Sequence, residues 1–148
     1  LFYRQKSVEN NPDNPILRYR LVFLQLEQGQ PEEAIANCKK ILGTAPKFLD
    51  AANLLSRILS THQDEKIRSP QESFALASRL CQLTKNRNGN YLLTLAYAQA
   101  NLAKFEEATK TLNLLTKVAP PDSPFTKEVS AALKRTKANQ PIRNPAWK

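Results

Sequence analysis

The chain repeats itself. At an offset of 74 residues, Asn14 aligns with Asn88, Leu21 with Leu95 and Gln25 with Gln99. In the same register Glu32-Glu33-Ala34 aligns with Glu106-Glu107-Ala108, and Ala45-Pro46 with Ala119-Pro120. An intermediate copy lies between, where Pro70-Gln71-Glu72-Ser73-Phe74 parallels Pro31-Glu32-Glu33-Ala34-Ile35. The anchor residues Ala34, Ser73 and Ala108 are 39 and 35 positions apart, which reads as a unit of about 34 residues with small insertions. A unit that short buries its apolar face only against its neighbours, so the fold has to be a stack of like units.

Each unit resolves into two helices. Leu17, Leu21 and Leu24, flanked by Ile16, Val22, Phe23 and Leu26, form a wide apolar stripe at helical spacing. Gly29-Gln30-Pro31 interrupts it, and Ala34, Ile35, Cys38, Ile41 and Leu42 resume the period until Pro46. The third unit repeats the scheme, with helices expected over 91–102 and 105–118, and a last amphipathic helix over 125–137. This accounts for 10 Pro against 3 Gly. Asn14-Pro15, Gln30-Pro31, Ser69-Pro70 and Ser123-Pro124 each read as a helix start, because the missing N–H of Pro costs nothing at the first helical position. Ser69-Pro70-Gln71-Glu72 also has the spacing of a capping box. The paired glutamates fall in first turns, where carboxylates favour the positive end of the helix dipole, which is a structural role.

These residues carry a resemblance. Leu21, Gly29, Ala34 and Pro46 in the first unit, and Leu95, Ala96, Phe105, Ala108 and Pro120 in the third, resemble the tetratricopeptide repeat (TPR) pattern over roughly 14–120. Arg18 stands where that pattern usually has Trp, Pro31 replaces the aromatic, and Ser73 replaces Ala. The resemblance implies an all-α fold: a right-handed superhelical array of three TPR-like helix pairs plus a C-terminal capping helix. The expected divisions are an N-terminal segment 1–13 leading into the array, with a helix there left open; units at about 14–47, 48–87 and 88–121; a cap at 122–138; and a basic, Pro-containing tail at 139–148. Lys127, Lys134, Arg135 and Lys137 are expected on the outer, solvated side of the cap. The carboxyl half, through 77–84, 93–98 and 139–143, is similar to the end of bacterial TPR proteins, some with an upstream membrane glycosyltransferase-like domain.

The resemblance further implies that the first helix of each pair lines a concave face. Counting along the pattern puts Ile16, Tyr19, Arg20 and Phe23 there, then Asp50, Asn53, Arg57 and Thr61, then Asn90, Leu93, Thr94, Tyr97 and Asn101. Tyr19, Arg20, Phe23, Asn53, Arg57, Asn90, Thr94, Tyr97 and Asn101 are the candidate partner-binding residues. Aromatic rings and a guanidinium beside amides suit an extended peptide, with packing between helices as the competing role for the rings. The Lys and Asn clamp with which some TPR domains hold a chaperone's terminal carboxylate is not matched, so a tail of that kind is disfavoured.

Other chemistries find little purchase. No Ser-His-Asp set, P-loop or CxxC occurs, so the segment is expected to be non-catalytic, with no cofactor and no metal. Cys38 and Cys81 fall on apolar stripes and read as core residues. His62, in Thr61-His62-Gln63-Asp64-Glu65, reads as part of an exposed loop. No run approaches a membrane span. The start at Leu1 and the absence of Met read as a piece of a longer chain, which leaves compartment and oligomeric state open. The net charge of +9 admits nucleic acid, an anionic membrane or an acidic partner. From Lys127 onward, six basic residues against Glu128 give +5 of that total, and Trp147 could stack on a base. The basic residues form no dense run, so a solvated cap and tail is the simpler account, with Trp147 free to dock on the array or on another domain. The leading expectation is a protein–protein interaction module. The alternatives are nucleic-acid binding through the basic C-terminal end and an accessory domain of a membrane glycosyltransferase-like protein.

Overall fold

The structure, a computed structural model, describes residues 14–147. The expectations for 1–13 lie outside the described residues. Seven helices follow in order: α1 (Pro15–Glu27), α2 (Pro31–Thr44), α3 (Leu49–Thr61), α4 (Pro70–Leu83), α5 (Gly89–Asn101), α6 (Phe105–Val118) and α7 (Pro124–Lys137). No strand occurs among the described residues. Consecutive helices pack on one another, and α5 also reaches back to α3 and forward to α7, so the odd-numbered helices share one face.

Pro opens α1, α2, α4 and α7 in the first turn. Asn14 caps α1, its Oδ1 accepting from the N–H of Ile16 at 3.0 Å and of Leu17 at 3.3 Å. Asn88 caps α5 by accepting from Tyr91 at 3.1 Å, and Ser123 caps α7 by accepting from Thr126 at 3.0 Å. The expected capping box at Ser69 does not form. The Ser69 N–H is already given to Leu59 O at 2.9 Å, and Glu72 pairs with Lys39 at 3.3 Å instead of folding back. No side-chain oxygen caps α4.

The helix ends explain how a chain with 3 Gly turns so often. After α1, Gly29 takes φ +69°, and the N–H groups of Gly29 and Gln30 bond to the carbonyls of Leu26 and Gln25. This is the Schellman arrangement. The same pair of bonds closes α4, α5 and α7, with Lys85, Ala103 and Asn139 in the left-handed position.

Close approach between helices depends on small residues. Ala34, Ala51, Ser73, Ala96 and Ala108 are fully buried. Ser73 satisfies its hydroxyl by donating to Pro70 O at 3.0 Å, and its carbonyl accepts from Ser56 at 2.7 Å. One apolar cluster joins α1, α2 and α3 through Val22, Cys38, Ile41, Leu55 and Ile58, and a second joins α5, α6 and α7 through Leu93, Leu112, Leu115 and Val129. Arg18, at the place of the usual Trp, cross-links α1 and α2 by a polar route. Its guanidinium donates to Asn37 Oδ1 at 2.7 Å, and Asn37 donates to Gln25 at 2.8 Å.

The two N-caps differ in a measurable way. Asn88→Ala should cost about 1 kcal/mol in urea unfolding, the usual worth of a side-chain cap. Ser69→Ala should fall within about 0.5 kcal/mol of the parent, the range of a change that touches no special feature.

Candidate functional site

A cleft of about 1040 Å³ opens on the face shared by the odd-numbered helices. Tyr19 and Phe23 from α1, Asn53, Leu54 and Arg57 from α3, and Tyr97 from α5 form one wall. Glu128, Lys134 and Arg135 from α7, with Ile142, Arg143 and Trp147 beyond it, form the other.

Arg57 organises the floor. Its Nε donates to Thr94 Oγ1 at 2.8 Å, one terminal nitrogen donates to Asn90 O at 3.2 Å, and the other meets Glu128 at 3.4 Å. The guanidinium also lies over the Tyr97 ring, 5.3 Å from its centroid. Thr94 donates onward to Asn53 Oδ1 at 2.5 Å, and the Tyr97 hydroxyl donates to Glu128. One side chain from α3 thus holds α5 and α7 in place. Burial, then the bond to Glu128, pushes the Tyr97 phenol well above its ordinary pKa, so it is a neutral donor across the physiological range.

Five of the nine candidate residues line the cleft: Tyr19, Phe23, Asn53, Arg57 and Tyr97. Phe23 is the most open of them, 44% exposed, with its ring edge-on to Tyr19 at 5.0 Å between centroids. Asn90 and Thr94 do not line the cleft but bond to Arg57, with Asn90 exposed and Thr94 fully buried. Arg20 is exposed but does not line the cleft. Asn101 does not line it either, and its amide nitrogen is buried without a hydrogen-bond partner among the described residues. Leu93 belongs to the second core cluster and is not on the open face, because α5 is covered by α6 and α7.

The tail corrects the expectation of a solvated end. Residues 140–147 form a strap that runs from α7 back to α3. Arg135 donates to Pro141 O at 3.0 and 3.1 Å, and Arg143 donates to Ser60 O at 3.3 Å. The Asn144 N–H bonds to Thr61 O at 2.8 Å, and the Gln63 N–H bonds to Trp147 O at 3.2 Å. Ile142 packs on the second core cluster and Trp147 on the first. Lys134 and Arg135, expected on the outer side of the cap, therefore line the cleft. The sequence signal was present in Pro141, Ile142 and Trp147, since two apolar residues on an extended stretch are what a docked strap needs.

His62 is a second correction. It is 2% exposed, not part of an open loop. Its Nδ1 accepts the Asp64 N–H at 3.0 Å, and its carbonyl accepts from Arg68 at 2.7 Å. His62 is covered where the strap lies across Thr61 and Gln63, while Gln63, Asp64, Glu65 and Lys66 stay exposed. Cys38 and Cys81 are free and buried, and burial alone pushes the Cys38 thiol up to about 12. Among the described residues no group of three or more His, Cys, Asp or Glu could hold a metal ion, and no helix is long and apolar enough to cross a membrane.

The family model for the tetratricopeptide repeat matches residues 5–58. No curated protein matches the chain.

Burial is the largest influence on His62 and lowers its pKa, outweighing the opposing pull of Asp64 and Glu32. The unfolded chain then binds the extra proton between the lowered value and the ordinary ~6.5, so stability rises with pH across that window. Urea unfolding should show stability falling as pH drops below about 6.5 and flat from there up to about 8. In His62→Gln the decline that sets in below about pH 6.5 should be reduced.

Proposed function

We propose, from the tetratricopeptide-repeat match at residues 5–58 and the stacked helix pairs that continue it, that the chain is a non-catalytic interaction module whose cleft binds a peptide or a partner's segment. Tetratricopeptide repeats generally mediate protein–protein interactions. The observation that carries the reading is the strap. A non-helical segment of the chain, ending in a turn over 144–147, already lies on this face, held through backbone groups of Thr61 and Gln63, and an open cleft remains beside it. Beside it the cleft combines apolar side chains with a few polar groups, the make-up of a peptide-binding groove. Tyr19, Phe23, Asn53, Arg57 and Tyr97 supply the wall, and among them Phe23 has the accessible apolar surface of a binding anchor. Arg57 and Tyr97 act mainly by holding the wall in shape.

Nucleic-acid binding through the C-terminal end draws no support from the geometry. Trp147 is packed against the core, and Arg135 and Arg143 are turned onto backbone carbonyls, so the end is not a free basic arm.

Selection from a random displayed-peptide library tests the reading. An enriched peptide should lose about tenfold in affinity, or 1.4 kcal/mol, to Phe23→Ala. Leu114→Ala, at an exposed position away from the cleft, should leave it unchanged. Peptides indifferent to Phe23→Ala in a folded chain would exclude the cleft as their site.

A further inference from the structure

The charge of the cleft is one-sided. Arg57, Lys134, Arg135 and Arg143 line it, against Glu128 as the one carboxylate. Glu128 is spent on Arg57 and Tyr97. The other three cations have no ion pair among the described residues. Arg135 and Arg143 bond to the carbonyls of Pro141 and Ser60, neutral acceptors that fix the guanidinium groups without cancelling their charge. Arg143 is half-buried and crowded: burial first, then repulsion from Arg68 and Arg135, holds its pKa below the ordinary guanidinium value. Opposite these charges the wall offers apolar surface through Phe23 and Leu54.

Resting on the groove reading above, we infer that the cleft takes an acidic extended peptide, its carboxylates facing Lys134, Arg135 and Arg143 and an apolar side chain seated beside Phe23. Three cations facing one volume, Arg143 half-buried and Lys134 and Arg135 exposed, repel one another, and a carboxylate placed among them relieves that repulsion as well as making its own contacts. A planar guanidinium already oriented by one carbonyl keeps further N–H groups for a carboxylate and loses less freedom on binding it. The same charges would draw nucleic-acid phosphates, but single-stranded nucleic acid also needs free ring faces. Tyr19 is taken by the rings of Phe23 and Phe48, the Tyr97 face by Arg57, and Trp147 by the core.

Fluorescence anisotropy on the full chain decides the matter, with four labelled probes: an Asp/Glu-rich peptide bearing one Phe, its Asn/Gln counterpart, its Lys counterpart and single-stranded oligouridine. The acidic peptide should bind at least about tenfold more tightly than the Asn/Gln peptide. Its affinity should fall as salt is raised from about 0.05 to 0.5 M, as screening requires. Lys134→Gln, at an exposed side chain with no ion pair, should weaken the acidic peptide several-fold with unchanged helicity and thermal midpoint. Lys134→Gln combined with Arg135→Gln should weaken it further. Equal affinity for acidic and neutral peptides, both weakened by Phe23→Ala, would overturn the charge assignment and leave the groove reading standing. Full affinity in the double variant would overturn it as well, as would oligouridine that binds more tightly and displaces the peptide. Lack of any acidic-peptide binding at low salt, where display-selected peptides do bind, has the same consequence. If no peptide of any kind binds at the cleft, the groove reading fails with it.

Discussion

The inner face depends on Arg57. Helix pairs stacked only by apolar contact could settle at several angles, because burial is non-directional. A guanidinium with donors in a fixed fork is directional, and here it reaches Thr94 and Asn90 on α5 and Glu128 on α7 from a single position on α3. The remaining donors and acceptors of the face follow from it: Thr94 passes a bond to Asn53, and Tyr97 shares Glu128. The angle between the two core clusters is thereby set by polar geometry, while their cohesion comes from Ile58, Leu55, Leu112 and Leu115.

The strap answers the problem that an open array poses at its end. The last helix of a stack has one face with no following repeat, and carries it either with polar residues or with a cover. Here α7 does both. Its exposed side is charged, and the chain continues past Asn139 to lay Ile142 on one cluster and Trp147 on the other. Bridging the two clusters from outside ties the far end of the array to the α3–α4 connection. That is also why His62 is covered.

The helices were legible in the sequence for a local reason. Pro at a helix start and apolar residues at a helical period are read within a dozen residues, and the starts at Pro15, Pro31, Pro70 and Pro124 follow. The Ser69 capping box failed because the carbonyl of Leu59, ten positions away, already accepts the N–H it required. The candidate residues divide along the same line. Helical counting puts Tyr19, Phe23, Asn53, Arg57 and Tyr97 on one face, and they line the cleft, since each lies on a helix that the repeat pattern identifies. It missed Lys134 and Arg135, whose side of α7 becomes a cleft wall only because the tail folds back, and Arg143, which lies in that tail; no period encodes the tail's path. The burial of His62 escaped for the same cause.

Shape and charge in the cleft come from different kinds of partner. Where a cation meets a carboxylate, as Arg57 meets Glu128, the pair fixes geometry and removes charge together. Where it meets a carbonyl, as Arg135 meets Pro141 and Arg143 meets Ser60, geometry is fixed and the charge persists. The first arrangement occupies the floor, where three helices have to be held; the second occupies the strap side, where the field is left open to the cleft. A strap bound through carboxylates of its own would hold the array equally well and neutralise that field. Residues 140–147 contain no Asp or Glu, so the segment that closes the array adds only positive charge to the space it encloses.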